Sequence, residues 1–244
     1  MSRQLLVIAT LGTAAVGGSA EGGFLGFVFT ARQIGTYVMV DVFAGVSNSS
    51  DRLLNVYNAN ITTTNVGGFY QASGLSNKTW KPDTASFSST RSSIDSFMTA
   101  GTYSGGAYSG EYYASANTNG DPNFTGTSWI GTPASPAATT IPTNAGWYTG
   151  DPTSIDNSAE SLAAVAGTRV NASGASGANF GIWCAHLVVT SNTTTVSWDA
   201  FASIKDGVTG VTSQAQSTTA NFIPAPGAIA LLGLAAFAAH RRRD

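Results

Sequence analysis

Apolar and polar positions keep their clearest order between Gly181 and Ile204. Gly181 to Thr190 is an almost unbroken apolar run, the pattern of a central strand covered on both faces. Ser191-Asn192-Thr193 reads as a turn. Val196, Trp198, Ala200, Ala202 and Ile204 then alternate with Ser197, Asp199, Phe201 and Ser203, the period of two of a half-buried strand. The two segments are predicted to form a hairpin beneath a second sheet. Upstream, Thr36 to Ala44 is rich in β-branched and aromatic residues and predicts another strand, turned by Ser47 to Asp51. Arg52 to Thr62 carries Leu53, Tyr57, Ala59 and Ile61 on one parity and is expected to pair back on Thr36–Ala44 as an antiparallel hairpin.

The middle of the chain is less regular. Gly67 to Ser93 breaks into short pieces around Phe69-Tyr70, Trp80 and Phe87, and Ile94 to Thr99 predicts a short strand. Gly101 to Asp151 mixes glycine and proline with aromatic residues. A structureless loop of that length is rare inside a compact domain, so parts of it are expected to pair as edge strands or pack as ordered loops. Asn157-Ser158-Ala159-Glu160 has the order of a capping box and predicts a short helix through Leu162–Ala166. Many short strands and almost no helix predict an all-β fold, an antiparallel β-sandwich with jelly-roll or immunoglobulin-like connectivity.

Both ends differ from this body. Arg3, an apolar run from Leu5 to Val16 and the small residues Gly18-Ser19-Ala20 predict an N-terminal signal helix with cleavage expected after Ala20. Phe222 to Ala239 holds no formal charge. A helix over Gly227 to Ala239 would rise about 20 Å at about 1.5 Å per residue, a short span for a hydrocarbon core of roughly 30 Å. Arg241, Arg242 and Arg243 resist crossing the bilayer and would stay on the cytoplasmic side. Pro224 and Pro226 favour an extended, accessible segment ahead of that single transmembrane helix. The expected organisation is a signal peptide at 1–20, a β-sandwich ectodomain at 21–216 and a sorting tail at 217–244.

A proline pair, a short apolar helix and an arginine cluster together resemble the PEP-CTERM sorting signal of bacterial surface proteins processed by exosortase. The resemblance covers about the last tenth of the chain, and Pro224-Ala225-Pro226 stands where that family usually has Pro-Glu-Pro. It implies signal peptidase and exosortase as partners during export and a transient anchor in the inner membrane. Cleavage near Pro224, Ala225, Pro226 and Gly227 would follow, with delivery to the cell surface or extracellular matrix. The body resembles uncharacterised β-rich ectodomains that carry such tails, which implies no activity.

Composition narrows the chemistry. Between Glu21 and Asn221, seven basic side chains face twelve acidic ones, a net charge of −5 with histidine neutral. Such a surface does not attract phosphate backbones, and nucleic acid is not an expected partner. Cys184 is the only cysteine, so the exported body relies on its core rather than on disulfides.

Candidate sites are few. Cys184 and His186, two apart on a strand, are expected to share a face, but about 6.5 Å of separation is long for a direct hydrogen bond. Their apolar surroundings read as core. His186 is the only histidine of the body, which excludes a histidine-rich zinc site. Asp95, Glu111, Asp121, Asp151 and Asp156 could supply a hydrolytic carboxylate pair only if folding brings two together. Asp121 and Asp151 lie in Gly-Asp-Pro turns, which could hold calcium, although Gly-Asp-Pro is ordinary turn chemistry and no cofactor is otherwise called for. Trp80, Trp129, Trp147-Tyr148 and Tyr112-Tyr113 lie in loop-like contexts and could stack on sugar rings of an extracellular polysaccharide, with Trp129, Trp147 and Tyr148 the foremost candidates. The sequence therefore predicts a non-enzymatic surface or matrix protein. Its alternatives are a carbohydrate-binding module and a secreted hydrolase.

Overall fold

The computed structural model describes residues 23–72, 80, 91, 94–101, 139–148, 159–165, 167–171, 178–190, 194–216 and 220–222 of the 244-residue chain. Eleven strands lie among them: β1 Phe24–Ile34, β2 Tyr37–Val46, β3 Arg52–Thr63, β4 Phe97–Met98, β5 Ala145–Tyr148, β6 Glu160–Ser161, β7 Thr168–Asn171, β8 Phe180–Val189, β9 Val196–Lys205, β10 Thr212–Gln216 and β11 Ala220–Phe222. They form two sheets. One runs β4-β8-β2-β1-β7 with β6 also on β8, and the other β10-β9-β3-β5 with β11 also on β9. Every paired strand is antiparallel.

The sheets bury one core between them. Val38, Val40, Val42 and Ala44 of β2 share it with Leu53, Val56, Ala59 and Ile61 of β3 and with Trp198, Ala200, Ala202 and Ile204 of β9. Ring edges cross the gap: Phe27 meets Trp198 at 5.2 Å and Phe29 meets it at 6.1 Å, both edge to face, while Trp147 of the same sheet meets Trp198 at 6.0 Å. A second apolar cluster lies on the opposite face of β2 and β8. There Leu162 and Phe97 cover Phe43 and Trp183, so β8 is buried on both faces as its unbroken apolar run requires.

Both predicted hairpins are instead crossings between sheets. β2 pairs with β1 and β8, while β3 pairs with β9 and β5, so Ser47–Asp51 carries the chain from one sheet to the other. The connection from β8 to β9 does the same. Hairpins form elsewhere: β1 joins β2 through Gly35, whose φ of +60° suits a tight two-residue turn, and β9 joins β10.

Tyr57 also departs from expectation. Two register shifts interrupt β3 against β9, with Asn58 at φ +47° inside one of them. The inward set becomes Leu53, Val56, Ala59 and Ile61, and Tyr57 turns out to stack on Phe201 at 5.2 Å. The helix expected over Leu162–Ala166 is a single 3₁₀ turn, Leu162–Ala164. Ser161 makes no side-chain cap there, and Glu160–Ser161 pairs with Phe180–Gly181 instead.

The Gly101–Asp151 stretch contributes β5 as an edge strand, as its length demanded. Pairing continues past residue 216, because β11 binds β9 from Val196 to Trp198. The signal helix at 1–20 and the transmembrane helix with Arg241–Arg243 lie outside the described residues. Among the described residues no helix is long and apolar enough to cross a membrane.

Candidate functional site

Asp41 is the one charged residue of β2 and His186 the one titratable residue of β8 apart from the cysteine. The strand register places them directly opposite each other. His186 Nδ1 lies 2.7 Å from Asp41 Oδ1, with both side chains sealed from solvent. Phe97 stacks on the imidazole at 5.1 Å and Trp183 meets it edge-on at 6.0 Å. Arg32 Nη2 stands 3.7 Å from Asp41 Oδ2. Nearby, Arg91 pairs with Glu160 and lies over the rings of Phe43 and Trp183 at 5.4 and 5.0 Å.

These charges tune each other. Burial lowers the Arg32 pKa, Asp41 pulls it back up and Arg91 lowers it further. Burial raises the Glu160 pKa against the opposing pull of Arg91. The cluster fastens the segments around Arg91, Phe97 and Glu160 onto the outer face of β2 and β8. Its histidine and aspartate side chains are sealed from solvent.

Cys184 does not share a face with His186. It is the extra residue of a β-bulge, because Val42 pairs with Ala185 and Phe43 with Trp183. Cys184 therefore joins the inter-sheet core while His186 faces the outer cluster. Burial pushes the Cys184 thiol well above the ordinary thiol range, so it stays protonated.

Trp147 presents no stacking face. It is fully buried, its Nε1 donates to the Thr99 carbonyl at 3.0 Å, and its ring meets Trp198. Tyr148 is half-buried at the end of β5. Trp80 is also fully buried, edge-on to Phe69 at 5.7 Å. Asp95 is buried and accepts from the Ala72 backbone N–H at 2.9 Å, the role of a loop tie. Ala20, Trp129, Tyr112, Tyr113, Glu111, Asp121, Asp151, Asp156 and the segment Pro224, Ala225, Pro226, Gly227 lie outside the described residues. Among the described residues no group of three or more His, Cys, Asp or Glu could hold a metal ion.

The accessible feature that sequence reasoning missed is a recess of about 290 Å³ where β3 ends. Ile61, Phe69 and Ile141 supply its apolar lining, and Thr62, Thr63, Thr139 and Thr140 bring hydroxyls. Its wall is tied at many points. Asn65 receives hydrogen bonds at Oδ1 from the Thr190 and Thr194 hydroxyls and donates through Nδ2 to the Gly68 carbonyl. Phe69 N–H donates to the Thr139 carbonyl at 2.8 Å, and Thr64 N–H to the Thr195 carbonyl at 3.0 Å. Gly68, at φ +80°, passes so close that a Cβ would stand 2.4 Å from the Thr139 carbonyl oxygen. The signal for this site was the density of threonine and asparagine from Asn60 to Asn65, which marks a hydroxyl-rich loop without marking a cavity.

Compared with known protein families, curated proteins and solved structures, the chain matches none.

Proposed function

We propose that this chain is an exported, non-enzymatic surface or extracellular-matrix protein whose body is a β-sandwich sorted through its C-terminal tail. The observation that carries the reading is the order Pro224-Ala225-Pro226, an uncharged apolar run to Ala239, then Arg241-Arg242-Arg243. Apolar residues in that number partition into lipid, and three guanidinium groups do not follow them across. The two antiparallel sheets fit an exported body that has one cysteine and depends on apolar burial.

Immunoglobulin-like connectivity is the better of the two expected topologies. What supports it is that β2 crosses to β3 and β8 crosses to β9, with β2 paired to β8 and β3 to β9. One crossing leaves the C-terminal end of β2 and the other the C-terminal end of its antiparallel neighbour, so they lie at opposite ends of the sheets. A jelly roll would fold both over the same end. The order β7-β1-β2-β8-β4 against β10-β9-β3-β5 then matches an ABED sheet facing a GFC sheet, with β7 and β5 as added edge strands.

Intact mass of the protein recovered from membranes, cell surface and medium tests the export reading. Loss of residues 1–20 together with the segment after the proline pair is the expected result. Full-length, freely soluble protein in the cytosol overturns it.

A further inference from the structure

We propose that the recess beside Asn65 is a binding site for one ring of a neutral, polyhydroxylated ligand, a sugar unit of an uncharged polysaccharide. The lining carries no charged side chain, so neither an anion nor a cation finds a counter-charge there. A purely apolar ligand fits no better, because it would strip water from the threonine hydroxyls without replacing their hydrogen bonds. A sugar ring matches the hydroxyl rim, and its C–H side would meet only the edges of Ile61, Phe69 and Ile141 that reach the floor of the recess, each at most 8% exposed.

Size points the same way. At about 290 Å³ the recess sits at the lower edge of ligand pockets, roughly 300–1,000 Å³, which suits a single ring better than an extended chain. The net charge of −5 over the body repels polyanions and favours neutral polymers over acidic ones.

The wall is set before any ligand arrives. Asn65 spends its amide on Gly68, Thr190 and Thr194, and the close pass of Gly68 on Thr139 locks the facing segment. Little ordering entropy then remains to be lost on binding. Thr62 and Thr140 are exposed, so their hydroxyls can turn toward a ligand. This places recognition on the threonine rim and away from Trp147.

Saturation-transfer NMR on the full chain, with glucose, galactose, maltose and cellobiose as neutral probes and glucuronate as the charged control, tests the proposal. Saturation transfer to at least one neutral sugar is expected, with glucuronate silent. Thr62→Val combined with Thr140→Val should weaken the best ligand at least tenfold while leaving the melting temperature unchanged. Val66→Ser, on the same loop but outside the lining, should bind as the parent does. The proposal fails if no neutral sugar shows transfer, if glucuronate binds as well, or if the double valine variant binds normally. An exported, processed protein that ignores every sugar removes this inference alone; a cytosolic one that binds them removes only the export reading.

Discussion

His186 and Asp41, separated by 145 residues in sequence, meet through a 2.7 Å contact on the covered face of β2 and β8. The contact joins the two central strands of one sheet where neither side chain reaches water. Removing one partner costs the other its short hydrogen bond in an apolar setting, which destabilises by about 1–3 kcal/mol. Asp41→Ala should lose that much in urea unfolding at neutral pH, and replacing both residues with leucine should recover most of it. A single-variant loss below about 1 kcal/mol would show that the contact does not hold the sheet.

Cys184 should be chemically silent. Its thiol is buried, held in the protonated form and enclosed by the inter-sheet core. Thiol-directed alkylation at mildly alkaline pH should modify no native protein and label one site per chain after denaturation. Rapid labelling of the folded protein contradicts the bulge that turns this side chain inward.

Trp147 is predicted to matter for stability. Trp147→Ala should destabilise by about 3–5 kcal/mol, the usual range for emptying a buried aromatic site. Trp147→Phe should lose less, although the Thr99 carbonyl gives up its donor. If Trp147→Ala keeps wild-type stability in calorimetry and yet abolishes polysaccharide retention, the ring's burial is wrong.

Burial of Glu160 sets the sign of a pH dependence. Burial raises its folded-state pKa above the ordinary carboxylate value, so the folded state holds that proton more tightly than the unfolded chain. The Glu160 contribution is then most favourable below the ordinary value and declines as pH climbs through the raised one. Unfolding titrations from about pH 4 to about pH 8 should show Glu160→Gln gaining on the parent as pH rises. A flat difference, or one of opposite slope, would refute the assignment.

Asp51 ties two turns together. Its Oδ2 accepts from Asn48 N–H and its Oδ1 from Gly207 N–H, both at 3.1 Å, and it is fully buried. Asp51→Ala should destabilise by about 1–3 kcal/mol through those orphaned donors, with faster amide exchange at Gly207 as the local readout. Unchanged exchange there would remove the tie.

The sequence disclosed strand content better than strand partners. Alternation from Val196 to Ile204 survives intact in β9 because no bulge interrupts its inward set. The same rule failed at Tyr57 and at Cys184, where an extra residue shifts the parity and only the neighbouring strand reveals it. β1 was unread because Phe24–Ile34 follows the signal-like segment and its Gly26 bulge breaks the alternation. The predicted hairpins failed for a different reason: a short polar turn can equally well carry a chain across two sheets, and local composition does not separate the cases. Asp41 and His186 did leave a trace, each the conspicuous polar exception in an otherwise apolar strand. The recess left only the hydroxyl-rich stretch Asn60–Asn65, which does not mark a cavity, since its walls come from segments about seventy residues apart.

The last paired strand sets the geometry of any tether. Phe222 lies opposite Val196 and Thr63 lies opposite the same residue, so the polypeptide departs from the end that bears the recess. Only residues 223–226 separate that strand from the apolar run beginning at Gly227, a reach of at most about 14 Å even fully stretched. If the proposed tail does anchor the chain in a bilayer, that end and its recess would be held toward lipid headgroups, and removal of the tail would free the recess as well as the protein.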